Sequence, residues 1–451
     1  MKAKRPGRAV ASALRRRQRN GRLNRPPLRP WDRRGLVNRL AAQRLTATVG
    51  IPAAALSVAL AGFGACSATA GGASSCTGGD TAPGVSGKEV RLGVLYPDSG
   101  PAGAAFPAAR AGIDARIAAA NAAGGIYGRK IVYDWRDDEG IPARNLTGSR
   151  ELVEDENVFG LVEFTVAAEG GAAYLADRRI PVVGLADESV WTRYSNMFTP
   201  ASSVGAAVDT YGGIVARHGG TTAFLLRTGL SAGISGAIDR VGQSLQAAGV
   251  RVVADQAYTD GADDPATVAR QIIDSGADTI VAMLAPQSLP AVLHAVRAAG
   301  GNPPVVLSFA GYDRDLLRTA GPDLAGVLLP VGYRPFEAGG APIARYLDAM
   351  HRYAPQVTNP AQESGIMSYI DTDLFLRGLR AAGPCPTRAS FLAGMRTLTH
   401  YDADGLIPPI NVVTAQRHPT SCLAVLRVNP AGNAFDVDQN NVCGHELGPD
   451  T

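Results

Sequence analysis

The sequence predicts an α/β protein built on two parallel sheets, and three observations carry that expectation. From Glu89 onward, β-branched or aliphatic runs alternate with Ala- and Leu-rich periodic segments, the rhythm of strands joined by covering helices. The rhythm pauses at Phe198-Thr199-Pro200 and then restarts, which makes two series. At 451 residues the chain is also too long for one compact core. A single doubly wound sheet of about ten strands is the less economical alternative.

The first series opens with 89–95 (EVRLGVL) as a strand. The next helix would place Phe106, Ile113 and Ile117 on one face, and 121–125 would end it, with Gly supplying a left-handed cap. Strands follow at 130–136, 158–163 and 181–185, separated by helices at 143–156 and 168–178. The second series reads as helix 204–218, strand 222–226, helix 235–248, strand 251–257 and helix 265–275. Strand 279–283, helix 290–299, strand 304–308, helix 313–320 and strand 326–331 complete it. Residues 341–398 read as three helices, and 409–438 as short strands ending in a hairpin. Helices on both faces of parallel sheets leave the carboxyl ends of the strands as the place for a ligand. With two lobes, that crevice lies between them.

Charge is unevenly distributed. Residues 1–45 hold 15 Lys/Arg against one acid, Asp32, leaving 29 basic and 39 acidic side chains for the remainder. The body is therefore acidic, which disfavours nucleic acid as a partner. After Arg44 no charge appears until Asp80, and 45–65 (LTATVGIPAAALSVALAGFGA) is apolar. A basic head, an apolar stretch and small residues form a secretory signal; an uncleaved transmembrane anchor is the competing reading. Gly64-Ala65-Cys66 resembles the end of a bacterial lipobox, with Phe63 where Leu is usual, and implies a lipid on Cys66. Asp32-Arg33-Arg34-Gly35-Leu36-Val37 looks like a twin-arginine export signal, while residues 1–35 are equally explained by a start codon placed too early. Residues 1–80 are thus head, signal and linker.

Five cysteines are present, and four remain for pairing if Cys66 is acylated: Cys76, Cys385, Cys422 and Cys443. The favoured bridge joins Cys385 and Cys422, which bracket the C-terminal region. Its rival, Cys422 with Cys443, would be brought together by the turn at 429–433 (NPAGN). No C-x-x-C or Cys/His cluster points to a metal.

The run 121–130 (NAAGGIYGRK), followed by Asp137-Asp138 and Leu152-Val153, resembles the opening of type I periplasmic solute-binding proteins of the branched-chain amino acid family. The order of elements agrees over 88–413, and 386–388 (PTR) and 401–406 (YDADGL) resemble later family segments. The resemblance implies a two-lobed type I periplasmic-binding-protein fold: two doubly wound parallel sheets joined by a three-crossing hinge. Lobe 1 would comprise 88–200 and 335–404, and lobe 2 would comprise 201–334 and 405–445. Crossings are expected near 198–201, 332–336 and 404–409, where Pro200 and Pro335 fix the path. The implied product is an exported, membrane-tethered, monomeric receptor that closes on a small molecule and delivers it to an ABC permease, without cofactor or catalysis.

In amino-acid-binding members of that family, hydroxyl-bearing loops after the third and fourth strands hold the ligand carboxylate, and an acid in the second lobe holds the ammonium. The corresponding loops here carry Phe164, Thr165 and Ala167, then Asp187, Glu188, Ser189 and Trp191. Two acids repel a carboxylate, and Phe309 stands where the ammonium partner is expected. These departures, with Tyr312 nearby, predict an aromatic, amphiphilic or cationic solute. Ser99, Phe106, Ser231 and Gln287, each at or just beyond a strand end, complete the expected ligand contacts.

Other functions rest on less. Gly229-Leu-Ser231-Ala-Gly233 matches the G-x-S-x-G elbow of α/β-hydrolases, with Asp313 and His351, or Asp402 and His418, in suitable order. Two residues separate it from its strand, however, and no oxyanion loop precedes it. The first strand is not followed by G-x-G-x-x-G, and the histidines are scattered without ligand spacing. A ligand-sensing receptor of the same fold would need the same cleft.

Overall fold

In the computed structural model, residues 82–228 and 232–448 are described. The basic head, Cys66, Cys76 and Ser231 lie outside them. The first series runs β1 (Glu89–Tyr96), α1 (Gly100–Gly103), α2 (Ala109–Ala122), β2 (Lys130–Asp137), α3 (Pro142–Glu154), β3 (Leu161–Glu163), α4 (Glu169–Asp177), β4 (Val182–Gly184), α5 (Val190–Arg193) and β5 (Met197–Phe198). Its strands form an all-parallel sheet in the order β2-β1-β3-β4-β5.

The second series runs α6 (Thr210–Arg217), β6 (Thr222–Thr228), α7 (Ala232–Ala247), β7 (Arg251–Tyr258), α8 (Pro265–Asp274), β8 (Thr279–Met283), α9 (Ser288–Ala298), β9 (Val305–Ser308), α10 (Arg314–Leu324) and β10 (Leu328–Val331). After it come α11 (Gly340–Tyr353), α12 (Glu363–Ala381), α13 (Arg388–Met395), α14 (Val412–Ala415), β11 (Cys422–Val428) and β12 (Phe435–Cys443). The second sheet is ordered β12-β11-β10-β9-β8-β6-β7. It is parallel from β7 to β10, and the hairpin β11–β12 adds two antiparallel strands. Both sheets thus place their first strand beside their third, which opens a crevice at the carboxyl ends of the strands.

The α2–β2 connection shows how the 121–130 run folds. The Asn121 amide donates to the Ile131 carbonyl and accepts from the Ile131 N–H, both at 2.8 Å, tying the end of the helix to the next strand. Gly125 has φ 75°, and a Cβ there would lie 2.0 Å from the Arg129 carbonyl oxygen. A side chain is excluded on both counts.

Helices α11 and α12 pack on α2, and α12 also meets β3 and β4, so the chain returns to the first sheet after β10. Close approach of α2 and α12 depends on Gly112, whose Cβ would stand 2.0 Å from the Gly365 carbonyl oxygen. One turn further on, Arg116 donates through Nε and Nη2 to Asp373 Oδ1 at 2.8 and 2.6 Å, a buried ion pair 257 residues apart in sequence.

Four expectations change. The helix expected to carry Phe106 starts at Ala109, because the backbone before it is in turns; only Ile113 and Ile117 of the predicted stripe lie on it, both buried. The segment expected as helix from 204 becomes helical only at Thr210. Residues 412–415 form a short helix in place of a strand. The expected Cys385–Cys422 bridge is not formed: Cys422 bonds Cys443, its register partner across the β11–β12 hairpin, and Cys385 is in another disulfide.

Candidate functional site

Loops leaving the strand ends position the candidate groups. After β1, the Ser99 hydroxyl donates to Asp137 Oδ2 at 2.5 Å and the Asp98 N–H donates to Asp137 Oδ1 at 3.0 Å, so Ser99 joins the ends of β1 and β2. Burial acts to raise the Asp137 carboxyl, but these donors outweigh it and hold it below its ordinary range. After β3, Phe164 and Thr165 turn inward. Phe164 meets Phe106 edge-to-face at 5.4 Å, and the Thr165 hydroxyl accepts from the Ala167 N–H at 3.2 Å. The residue this loop shows to solvent is Val166.

After β4, Asp187 and Glu188 do different work. Asp187 is open to solvent, and its Oδ1 accepts from the Ser203 hydroxyl at 2.8 Å. The Ser203 carbonyl accepts from Arg240 Nη2, also at 2.8 Å, so one serine links the acid and the base. Crowding by protein pushes the Asp187 carboxyl up, with the Ser203 hydroxyl and the Arg240 charge opposing. Glu188 instead folds back onto α4, accepting from the Ala168 N–H at 2.6 Å and the Glu169 N–H at 3.2 Å. Trp191 is fully buried in the core against Leu175, Val190 and Met197, and its indole N–H finds no acceptor. It presents no face to a ligand.

After β9, Phe309 is half-buried and meets Tyr211 of α6 edge-to-face at 5.0 Å. Tyr312 is buried; its hydroxyl donates to Glu337 and accepts from the Phe336 N–H at 2.9 Å, and its ring meets Phe435 at 4.8 Å. Tyr312 therefore ties the segment after β9 to the segment after β10. Gln287 is exposed at the start of α9, with no capping hydrogen bond from its side chain.

The structure thus brings Asp187 together with groups that the sequence did not single out: Ser203, Tyr211, Arg240, Glu363 and Asp371. The charge of Asp187 acts on the last four. Burial, then Asp187, pushes the Glu363 carboxyl up to about 7. The same causes raise Asp371 well above its ordinary range, and its Oδ2 has no partner. Burial pushes the Tyr211 hydroxyl up to about 12 and the Arg240 guanidinium down. A separate hollow of about 560 Å³, lined by Arg179, Arg193 and Arg396, lies at the amino ends of β4 and β5 and holds none of these groups.

For the hydrolase alternative, Ser231 lies outside the described residues. Asp313 caps α10 through its carboxylate, and His418 pairs with Glu446 at 2.5 Å. Neither Asp–His couple suggested by chain order is formed. Among the described residues no group of His, Cys, Asp and Glu is arranged to hold a metal.

The sequence profile of the periplasmic binding protein family matches residues 89–433, most of the chain. The chain belongs to the periplasmic binding protein family. Over 81 residues this periplasmic binding protein is 33% identical to Leu/Ile/Val-binding protein homolog 3 of Brucella melitensis, a match spanning 18% of this chain and 22% of that relative. Among solved structures, it is similar to a fatty acid ABC transporter substrate-binding protein from Thermomonospora curvata (TM-score 0.67, 16% identity, 82% of this chain and 95% of that one). A solute-binding protein of an ABC transporter from R. palustris, in complex with 4-hydroxybenzoate, gives TM-score 0.66 at 18% identity, covering 80% and 98%. A branched-chain amino acid transporter substrate-binding protein from Streptococcus pneumoniae, in complex with isoleucine, gives 0.65 at 15% identity, covering 78% and 100%. At these identities the likeness is one of fold, and it is the type I fold that the resemblance of the 121–130 run implies, on the two-sheet architecture that the strand–helix rhythm predicts.

Proposed function

We propose that this periplasmic binding protein captures one small organic solute at the facing strand ends of its two sheets and delivers it to an ABC importer. The observation that carries this is the family match over 89–433; the Asp187–Ser203–Arg240 link and the Tyr211–Phe309 pair support the placing of the solute. Lobe 1 consists of 88–200 and 335–404, lobe 2 of 201–334 and 405–445, and closure about the three crossings buries the solute and shapes the surface a permease reads. The role is read as binding without turnover, in keeping with the family match. The protein works on the extracytoplasmic face of the membrane, tethered through a lipid on Cys66.

A thermal-shift screen of amines, aromatic acids, amino acids and amides tests the proposal. Stabilisation follows RT ln(1 + [L]/Kd), about 2.7 kcal/mol at a hundredfold excess over Kd. A ligand whose stabilisation survives both Asp187→Ala and Phe309→Ala would remove the crevice from the account. Labelled palmitate retained by a Cys66→Ala variant would remove the anchor.

A further inference from the structure

The first turn of α4 is a natural seat for an anion, because its leading N–H groups have no partner within the helix and the helix dipole favours negative charge there. In this chain the seat is filled from within. Glu188 supplies the carboxylate, with Ala168 and Glu169 donating to its two oxygens. Nearby, Glu163 is completely buried with both carboxyl oxygens unpartnered, and the charges of Asp138 and Glu188 act on it. A ligand carboxylate approaching α4 meets a resident carboxylate in place of free N–H groups.

The adjoining groups suit the opposite charge. Asp187 makes one side-chain hydrogen bond among the described residues, from Ser203, and remains open to solvent. Glu363 and Asp371 lie within its electrostatic reach, and Arg240 is the one base acting on it. Arg240 is itself held by the Ser203 carbonyl. The Tyr211–Phe309 pair is half-buried and supplies aromatic surface, and Tyr211 lies on α6, which packs on α7, the helix that carries Arg240.

We infer that Glu188 is a built-in occupant of the anion seat and that the crevice selects organic cations carrying an aromatic or apolar body, while rejecting carboxylates. The ammonium or amidinium group pairs with Asp187, and the body lies against Tyr211 and Phe309. The inference rests on the solute-binding reading above and narrows it to a charge class.

Benzylamine and benzoate, matched in size and opposite in charge, are the probes, titrated calorimetrically into the full-chain protein. The wild type is expected to bind benzylamine about tenfold or more tightly than benzoate, and Asp187→Asn to abolish that preference. Glu188→Ala empties the seat and is expected to raise benzoate affinity by about tenfold or more. If that variant does not fold, Glu188→Gln, which keeps an acceptor for the helix, should shift the ratio the same way. Wild type that binds benzoate as well as benzylamine overturns the inference, as does a folded Glu188 variant with an unchanged ratio. Failure of both probes to bind wild type also overturns it. Mass spectrometry of small molecules released from natively purified protein then judges the broader reading independently, because a retained neutral or anionic solute would uphold capture while refuting the charge class.

Discussion

Arg116→Ala should unfold the protein more easily by about 3 kcal/mol, at the low end of the ~3–5 kcal/mol expected when one partner of a buried pair is removed. Arg116 and Asp373 are 8% and 3% exposed. Arg116 makes two hydrogen bonds to Asp373 Oδ1, while Oδ2 accepts from the Tyr401 hydroxyl at 3.1 Å and from Arg377 Nε at 3.4 Å. Without the guanidinium, Asp373 keeps those two donors, which is why the smaller figure applies. Urea melts followed by circular dichroism should show a lower midpoint at unchanged slope. The double variant Arg116→Met/Asp373→Asn removes both charges yet leaves an amide to accept from Tyr401, and should recover much of the loss. A single variant that costs under about 1 kcal/mol, or a double variant worse than the single, would refute the view that this pair fastens α12 to α2.

Reducing Cys422–Cys443, which closes 21 residues of sequence, should cost about 3 kcal/mol by chain entropy, read as a lower melting temperature in the double Cys→Ser variant. Gly125→Ala should cost at least about 1 kcal/mol, because the alanine Cβ meets the Arg129 carbonyl in a left-handed backbone; a neutral urea midpoint would contradict this. Burial, then the Asp187 charge, pushes the Glu363 carboxyl up to about 7 from its ordinary 4.5, so it binds its proton more tightly when folded. Its contribution is fully present below about pH 4.5 and is lost as pH rises through about 7; Glu363→Gln should flatten that part of the melting-temperature profile.

Strands were legible where tertiary context agrees with local pattern. Thr279–Met283 is an almost unbroken apolar run between parallel neighbours, and its predicted and observed bounds coincide. The start of α6 was not legible, because the segment before it is held by long-range partners: Asp209 accepts from the His445 N–H at 2.7 Å, and the Ser202 N–H donates to Thr420 Oγ1 at 3.1 Å. At the site, Asp187 and Glu188 follow from the rule that ligands meet strand ends. Arg240 and Tyr211 do not, since they sit within helices of the other series and reach Asp187 only through the fold. The aromatics show the limit of loop position as a signal. Phe309 is half-buried against Tyr211, whereas Trp191 and Tyr312 at comparable positions are buried, a difference set by packing that no spacing encodes. The cysteine bridge was decided by hairpin register, which the turn residues hinted at but could not choose over a longer span.

The return of α11 and α12 to the first sheet has a consequence for biogenesis. The partners in the Arg116–Asp373 pair emerge from the ribosome 257 residues apart, about 13–50 s at ordinary elongation rates of roughly 5–20 residues per second. Throughout that interval the earliest layer lacks its longest cover, so it stays incomplete. A nascent chain built in this way defers its own closure and seals its first layer only when its final third has arrived.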